Sequence, residues 1–189
     1  MRLLLTLLCL IPLVGSPKDP PQNAAIDTDQ SSLLIHVAKS GLFSFAGDNH
    51  EVRAPIASGS VNESAGSVEL KVAADKLTVL DPALSPAKRA EVQQRMLGAE
   101  VLDVAHYPEI LFRSDRVEPL KENEWTVRGS LSLHGHTHPV TIHVIRTVGH
   151  YRGTAALKQT DFGITPISVA GGTVKVKDEL KIDFDIVAH

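Results

Sequence analysis

The chain has 189 residues, 19 basic and 22 acidic side chains, a formal net charge of -3 and one cysteine. So even a charge balance excludes a nucleic-acid binder, which needs a basic excess, and gives no polybasic membrane anchor. A lone cysteine excludes an internal disulfide and a thiolate metal cluster. The length fits one domain large enough to bury a core and still leave room for a cavity.

In chain order, Met1-Arg2 is a short positive start, and Leu3 to Val14 is apolar apart from Thr6, followed by the small residues Gly15 and Ser16. This pattern predicts a secretory signal peptide over 1–15; its apolar stretch is shorter than the ~20 residues that a bilayer span needs. Cys9 lies inside it, so the exported chain would carry no thiol and no transmembrane segment. Residues 16–29, rich in Pro, Asp, Gln and Asn, read as a flexible leader, and 30–189 as the folded domain.

From there apolar and polar residues alternate, the mark of half-buried strands. The sets are Leu33, Ile35 and Val37, continued by Phe43 and Phe45; Val68, Leu70 and Val72; Ile110 and Phe112; Trp125, Val127, Leu131 and Leu133; Val140, Ile142 and Val144; and Leu180, Ile182, Phe184 and Ile186. One stretch breaks the rhythm. Ser85-Pro86 offers an N-cap and a proline at the first helical position, good helix formers follow, and Gly98 ends them, so the spacing predicts one helix covering the strands. The fold class is all-β: an antiparallel barrel of about eight strands with one inserted helix, since closure removes sheet edges and can enclose a ligand. Two stacked sheets would give the same alternation.

Three segments, taken in order, resemble the YceI-like family: 101–114 (VLDVAHYPEILFRS) after the helix, 125–140 (WTVRGSLSLHGHTHPV), and 161–164 (DFGI). The resemblance covers most of the chain from Asp29 to Ile186. It departs from the family pattern at 41–52 (GLFSFAGDNHEV) and in the extra histidines of the hairpin. It implies a lipocalin-like barrel holding an isoprenoid or another long-chain lipid in the periplasm or outside the cell, and a pocket wall in place of a catalytic set. The inward candidates are Phe43, Phe45, Leu70, Met96, Leu97, Phe112, Trp125, Leu131, Leu133, Phe162 and Ile164. Any of them could equally be ordinary core. A methionine on the helix suits an adaptable apolar contact.

The rival reading is a metal site. His134, His136 and His138 alternate, and three imidazoles on one face could bind zinc, with an open position for water and hydrolase chemistry. The apolar phase, however, runs on odd positions before the cluster and even positions after it, which demands a turn or bulge. Gly135 and Pro139 are suited to one. The histidines therefore belong at a hairpin tip on the rim, with His134-Gly135 shaping the turn and His136 and His138 in solvent. His50 would join them only if its loop lay at the same rim. His36 and His143 read as surface or satisfied core residues and not as ligands. Glu109, Asp161 and Asp178 show no partner at helical or strand spacing, Asp161 bonds locally to backbone, and Gly171-Gly172 is a turn. No nucleophile elbow or phosphate loop is present. The sequence thus predicts a non-enzymatic binding protein with an apolar partner, no cofactor and no nucleic acid.

Overall fold

The computed structural model describes residues 23–40, 49–169 and 174–189. The expected signal at 1–15, Phe43, Phe45 and the Gly171-Gly172 turn lie outside them. In chain order the elements are β1 Ala24–Ala25, β2 Ser32–Ser40, β3 His50–Arg53, β4 Ile56–Asn62, β5 Ser67–Ala73, β6 Thr78–Val79, α1 Pro86–Leu97, β7 Glu109–Lys121, β8 Glu124–Leu133, β9 His136–Thr147, β10 His150–Lys158, β11 Ser168–Val169 and β12 Val174–Val187.

Several of these are halves of one run. β1 and β2 are separated by the turn at 27–30, where Asp27 Oδ1 accepts from the amides of Asp29 and Gln30. β3 and β4 break at Ala54-Pro55, where proline has no N–H to give to a ladder. β5 and β6 break at the 3-10 turn Ala74–Lys76. Joined in this way, and with β7, β8, β9, β10 and β12, the wall has the eight runs expected, all antiparallel.

The wall closes on itself. β12 pairs with β10 on one side and β2 on the other. Beyond the end of β2 its last residues meet the β1 run, with Ile26 opposite Ala188 and Ala25 N–H donating to the His189 carbonyl at 3.1 Å. β1 in turn pairs with β4. Residues 23–26, expected in the leader, are therefore part of the barrel, because they pair with Ala188 and His189 beyond the end of β12.

Where the barrel curves tightly, inward rings sit over glycines of the next strand. A Cβ on Gly129 would lie 2.6 Å from the Phe112 ring, and one on Gly153 would lie 2.6 Å from the Phe184 ring. A bulge between Ser114 and Arg116 shifts the phase of β7, so Ile110 and Phe112 before it and Val117 after it all face the interior.

The helix forms as expected: Ser85 caps it by accepting from Lys88 N–H at 3.4 Å, Pro86 is its first residue, and Gly98 follows its last. It lies between β6 and β7, where the ladder stops. β6 pairs with β3 only, and its open edge is met by the Gln93 side chain. The Gln93 Oε1 accepts from Val79 N–H at 2.8 Å, and Nε2 donates to the Leu77 carbonyl at 2.7 Å. One glutamine thus does for β6 what a neighbouring strand would do.

The two ends of the barrel differ. One, the hairpin end, carries the turns at 63–66, 122–123 and 148–149. The other, the helix end, carries α1, the His134–Gly135 turn and the 3-10 turn Gln159–Phe162.

Candidate functional site

Inside the barrel is a cavity of about 630 Å³ that extends from Tyr151 and Glu63 at the hairpin end to α1 at the helix end. That volume is within the range of small-molecule sites. Each strand contributes alternate residues, as the period of two requires: β2 gives Leu33, Ile35 and Val37, and β12 gives Leu180, Ile182 and Phe184.

Of the residues expected on the wall, Leu70, Met96, Phe112, Trp125, Leu131, Leu133 and Ile164 line this cavity. Leu97 and Phe162 do not. Leu97 packs against the apolar core outside the cavity. Phe162 is 1% exposed, the most completely buried large side chain among the described residues. It is held against β9 and the turn that precedes it: its carbonyl accepts from His134 Nδ1 at 3.1 Å, and its ring meets the edge of the His138 ring, centroids 5.4 Å apart. Phe162 holds the rim together instead of forming the pocket surface.

The sequence reading missed other wall residues. Lys39 continues the Leu33, Ile35, Val37 phase, and this could have been read from the alternation. Lys88, Glu91, Val92 and Arg95 join the expected Met96 in one helical stripe toward the cavity at spacings of three and four. Because that stripe is half charged, it has little amphipathic signature. Ala155 and Tyr151 on β10, and Val52 and Val61 on the β3–β4 run, were missed because their strands are interrupted by Gly, Ala or Pro.

The histidine cluster is a turn. His134 and Gly135 both have positive φ, 51° and 74°, the paired left-handed residues of a two-residue hairpin. The His134 ring packs on Tyr107, centroids 4.7 Å apart, and His136 Nδ1 donates to the His134 carbonyl at 3.0 Å. His136 is exposed, whereas His138, expected in solvent, is half-buried against Phe162. Among the described residues no three His, Cys, Asp or Glu side chains are placed to hold a metal ion.

On the outer wall His36 bonds Asp183 at 2.9 Å, and His143 lies 3.5 Å from Glu124. Glu109 pairs with Lys71 across the β5–β7 ladder. Asp178 has a partner that strand spacing could not reveal. It accepts from Thr160 N–H at 2.9 Å and from the Thr160 hydroxyl at 2.7 Å, pinning the 3-10 turn to β12. The Thr160 amide, then its hydroxyl, hold the Asp178 carboxyl below its ordinary value.

Two polar groups bound the cavity. At the hairpin end the Tyr151 hydroxyl donates to Glu63, which also meets Arg146 at 2.9 Å. Burial, then the hydrogen bond to Glu63, push the Tyr151 phenol up to about 12. At the helix end His50 sits opposite Val37 on the inward phase of β3. Its Nδ1 donates to Asp81 Oδ2 at 2.5 Å, and Asp81 Oδ1 accepts from Glu51 N–H at 2.8 Å. Asp81 is 6% exposed.

Comparison with known proteins agrees with this architecture. A family model described as the YceI-like domain matches residues 25–188. A UPF0312 protein of Pseudomonas savastanoi pv. phaseolicola and another of Pseudomonas syringae pv. syringae are each 38% identical over 85 residues. That match covers 40% of this chain and 44% of each relative, so the chain spans less than half the length of these curated relatives. Among solved structures, Burkholderia cenocepacia BcnA has a TM-score of 0.65 at 19% identity, covering 87% of this chain and 99% of that one. It shares the fold.

Proposed function

The chain belongs to the YceI-like family, and on that premise we propose that it is an exported binding protein that sequesters or carries an isoprenoid or another long-chain lipid inside its barrel. The observation that supports this reading is the cavity of about 630 Å³, walled by aliphatic and aromatic side chains along its middle. An apolar wall binds by burial. Each methylene taken from water contributes about 0.8 kcal/mol, so a chain is held without many polar contacts. Specificity then falls to the length of the cavity and to the polar groups at its ends.

The role is binding and not catalysis. At the cavity His50 and Asp81 bond each other and Asp81 also takes the Glu51 amide, while Glu109 is paired with Lys71 and Asp178 with Thr160. Export rests on the 1–15 segment of the sequence. No helix among the described residues is long and apolar enough to cross a membrane.

The test is mass spectrometry of an organic extract from the exported protein, purified without detergent, with metal content measured on the same sample. One long-chain lipid per chain is the expected result. A chain that carries no lipid and takes up none, but holds one metal ion tightly, would refute the reading.

A further inference from the structure

Exposed apolar side chains gather at one end of the barrel. Among the described residues four large ones stand in solvent: Tyr107, Leu120, Ile145 and Val148. Tyr107 belongs to the helix end, where its ring packs on His134. The other three share the hairpin end, and none of them lines the cavity. They sit on successive strands. Lys121, next to Leu120, is opposite Glu124; Glu124 is opposite Ile145; and Val148 is in the turn that follows Ile145. Neighbouring strands lie about 5 Å apart, so the three make one patch at the tip.

Val148 is there at a cost to the fold. It is β-branched and holds φ 48° beside Gly149 at 81°, a two-residue turn that favours Asn-Gly. At 94% exposed, its side chain packs on almost nothing that would offset the strain. Strain kept in an exposed segment points to a contact that the isolated chain does not make.

The surroundings define the kind of contact. The cations around the patch are taken: Lys121 by Glu124 at 2.9 Å, Arg146 by Glu63 at 2.9 Å and Arg152 by Asp185 at 2.8 Å. The 122–123 turn beside Leu120 adds a further carboxylate, Glu122. The patch therefore holds no positive excess for an anionic partner. It is also small. Three side chains offer a few hundred Å², against the ~800 Å² that each partner of a stable protein complex buries. A bilayer interface needs no complementary partner surface of that size, because binding to it scales with whatever apolar area enters.

We propose that the hairpin end of the barrel is a docking surface for a lipid bilayer whose head groups carry no net charge, entered by Val148 and Leu120 with Ile145 at its rim. The cavity reaches the same end at Tyr151 and Glu63, so docking sets that end against the lipid. Docking of this kind uses the outer surface alone and holds whatever the cavity carries.

The experiment floats the exported chain on a density gradient with phosphatidylcholine vesicles, pure or mixed with phosphatidylglycerol, at low and high salt. The chain should rise with the neutral vesicles, unaffected by salt, and no better with the anionic ones. Val148→Asn should weaken the partition about tenfold, and Val148→Asn with Leu120→Gln should abolish flotation. Unfolding does not explain such losses if Val148→Asn, which relieves the turn, melts no lower than the parent in the same buffer. Leu120→Phe keeps the patch apolar and should float like the parent. A parent that does not float, flotation that survives the double change, or flotation that needs anionic lipid and low salt overturns the bilayer surface. A parent that stays off vesicles but is dimeric in solution until Val148→Asn separates it also overturns it, and gives the patch to a second copy of the chain.

Discussion

The glutamine that closes the open edge of β6 gives the sharpest energetic test of how the helix is attached to the barrel. Gln93→Ala removes two hydrogen bonds at once, to Val79 N–H at 2.8 Å and to the Leu77 carbonyl at 2.7 Å. Leu77 and Val79 are each 3% exposed, so water has poor access to the stranded groups. Leaving a buried donor or acceptor unmade costs about 1–3 kcal/mol, and two of them, less the few tenths gained from alanine's better helix propensity, come to about 2–5 kcal/mol. For a domain of this size that lowers Tm by roughly 4–20 °C. Differential scanning calorimetry measures it, with Gln94→Ala, an exposed neighbour, as the control. Hydrogen exchange adds a local readout, because the Val79 amide should lose protection more than amides of β8 or β9. A Tm change under about 2 °C, with Val79 still protected, would refute the claim that this side chain stands in for a strand.

Three further outcomes follow from single residues. Val148, 94% exposed, holds φ 48° in the β9–β10 turn, where a branched side chain is strained; Val148→Asn should raise stability by about 1 kcal/mol in a urea titration, and no gain would mean the turn relaxes at no cost. The Asp178 carboxyl is held low by the Thr160 amide and hydroxyl. Its stabilising contribution is therefore present above the ordinary carboxylate value of 3.8 and lost as pH falls below it. Asp178→Asn should be less stable than the parent at neutral pH and equal to it in acid, and a difference independent of pH would count against the pairing. The Tyr151 phenol, raised to about 12 by burial and Glu63, favours the folded state below the ordinary value of 10.0 and loses that contribution as pH climbs through the interval. An ultraviolet titration should show one tyrosine ionising near 12, abolished in Tyr151→Phe; two tyrosines titrating together near 10 would disprove it.

What the sequence made legible is what alternation and capping encode. Leu180, Ile182, Phe184 and Ile186 face one side because the period is two, and Ser85-Pro86 with Gly98 bounds the helix because caps are local chemistry. The His134-Gly135 turn could be read from the switch of phase across it. The runs that escaped are those whose inward positions are small or interrupted: Gly153 and Ala155 on β10 lack the bulk that marks a buried face, and Ala54-Pro55 cuts one strand into two short ones. Asp81 with His50, and Gln93 with β6, join residues distant in the chain. Their meaning comes from a register that only closure of the barrel sets.

Those same small residues explain why there is a cavity at all. An eight-stranded barrel encloses little more room than ordinary side chains fill. Here the rings of Phe112 and Phe184 occupy the space above Gly129 and Gly153, so they are drawn against the wall and not across the lumen. Ala54 and Ala155 leave further depth. An apolar interior left unfilled forfeits dispersion contacts that a packed core would have. The chain-like ligand proposed above would restore them, and binding to the folded state alone would stabilise it by RT ln(1 + [L]/Kd). The helix covers the gap beyond β6, which has no pairing with β7. Its inward stripe accordingly mixes Val92 and Met96, which continue the apolar wall, with Lys88 and Arg95, which face the polar mouth. A helix packed against a filled core would have no use for those cations on its inner face; Lys88 and Arg95 can lie there because what they face is a cavity wall and not packed side chains.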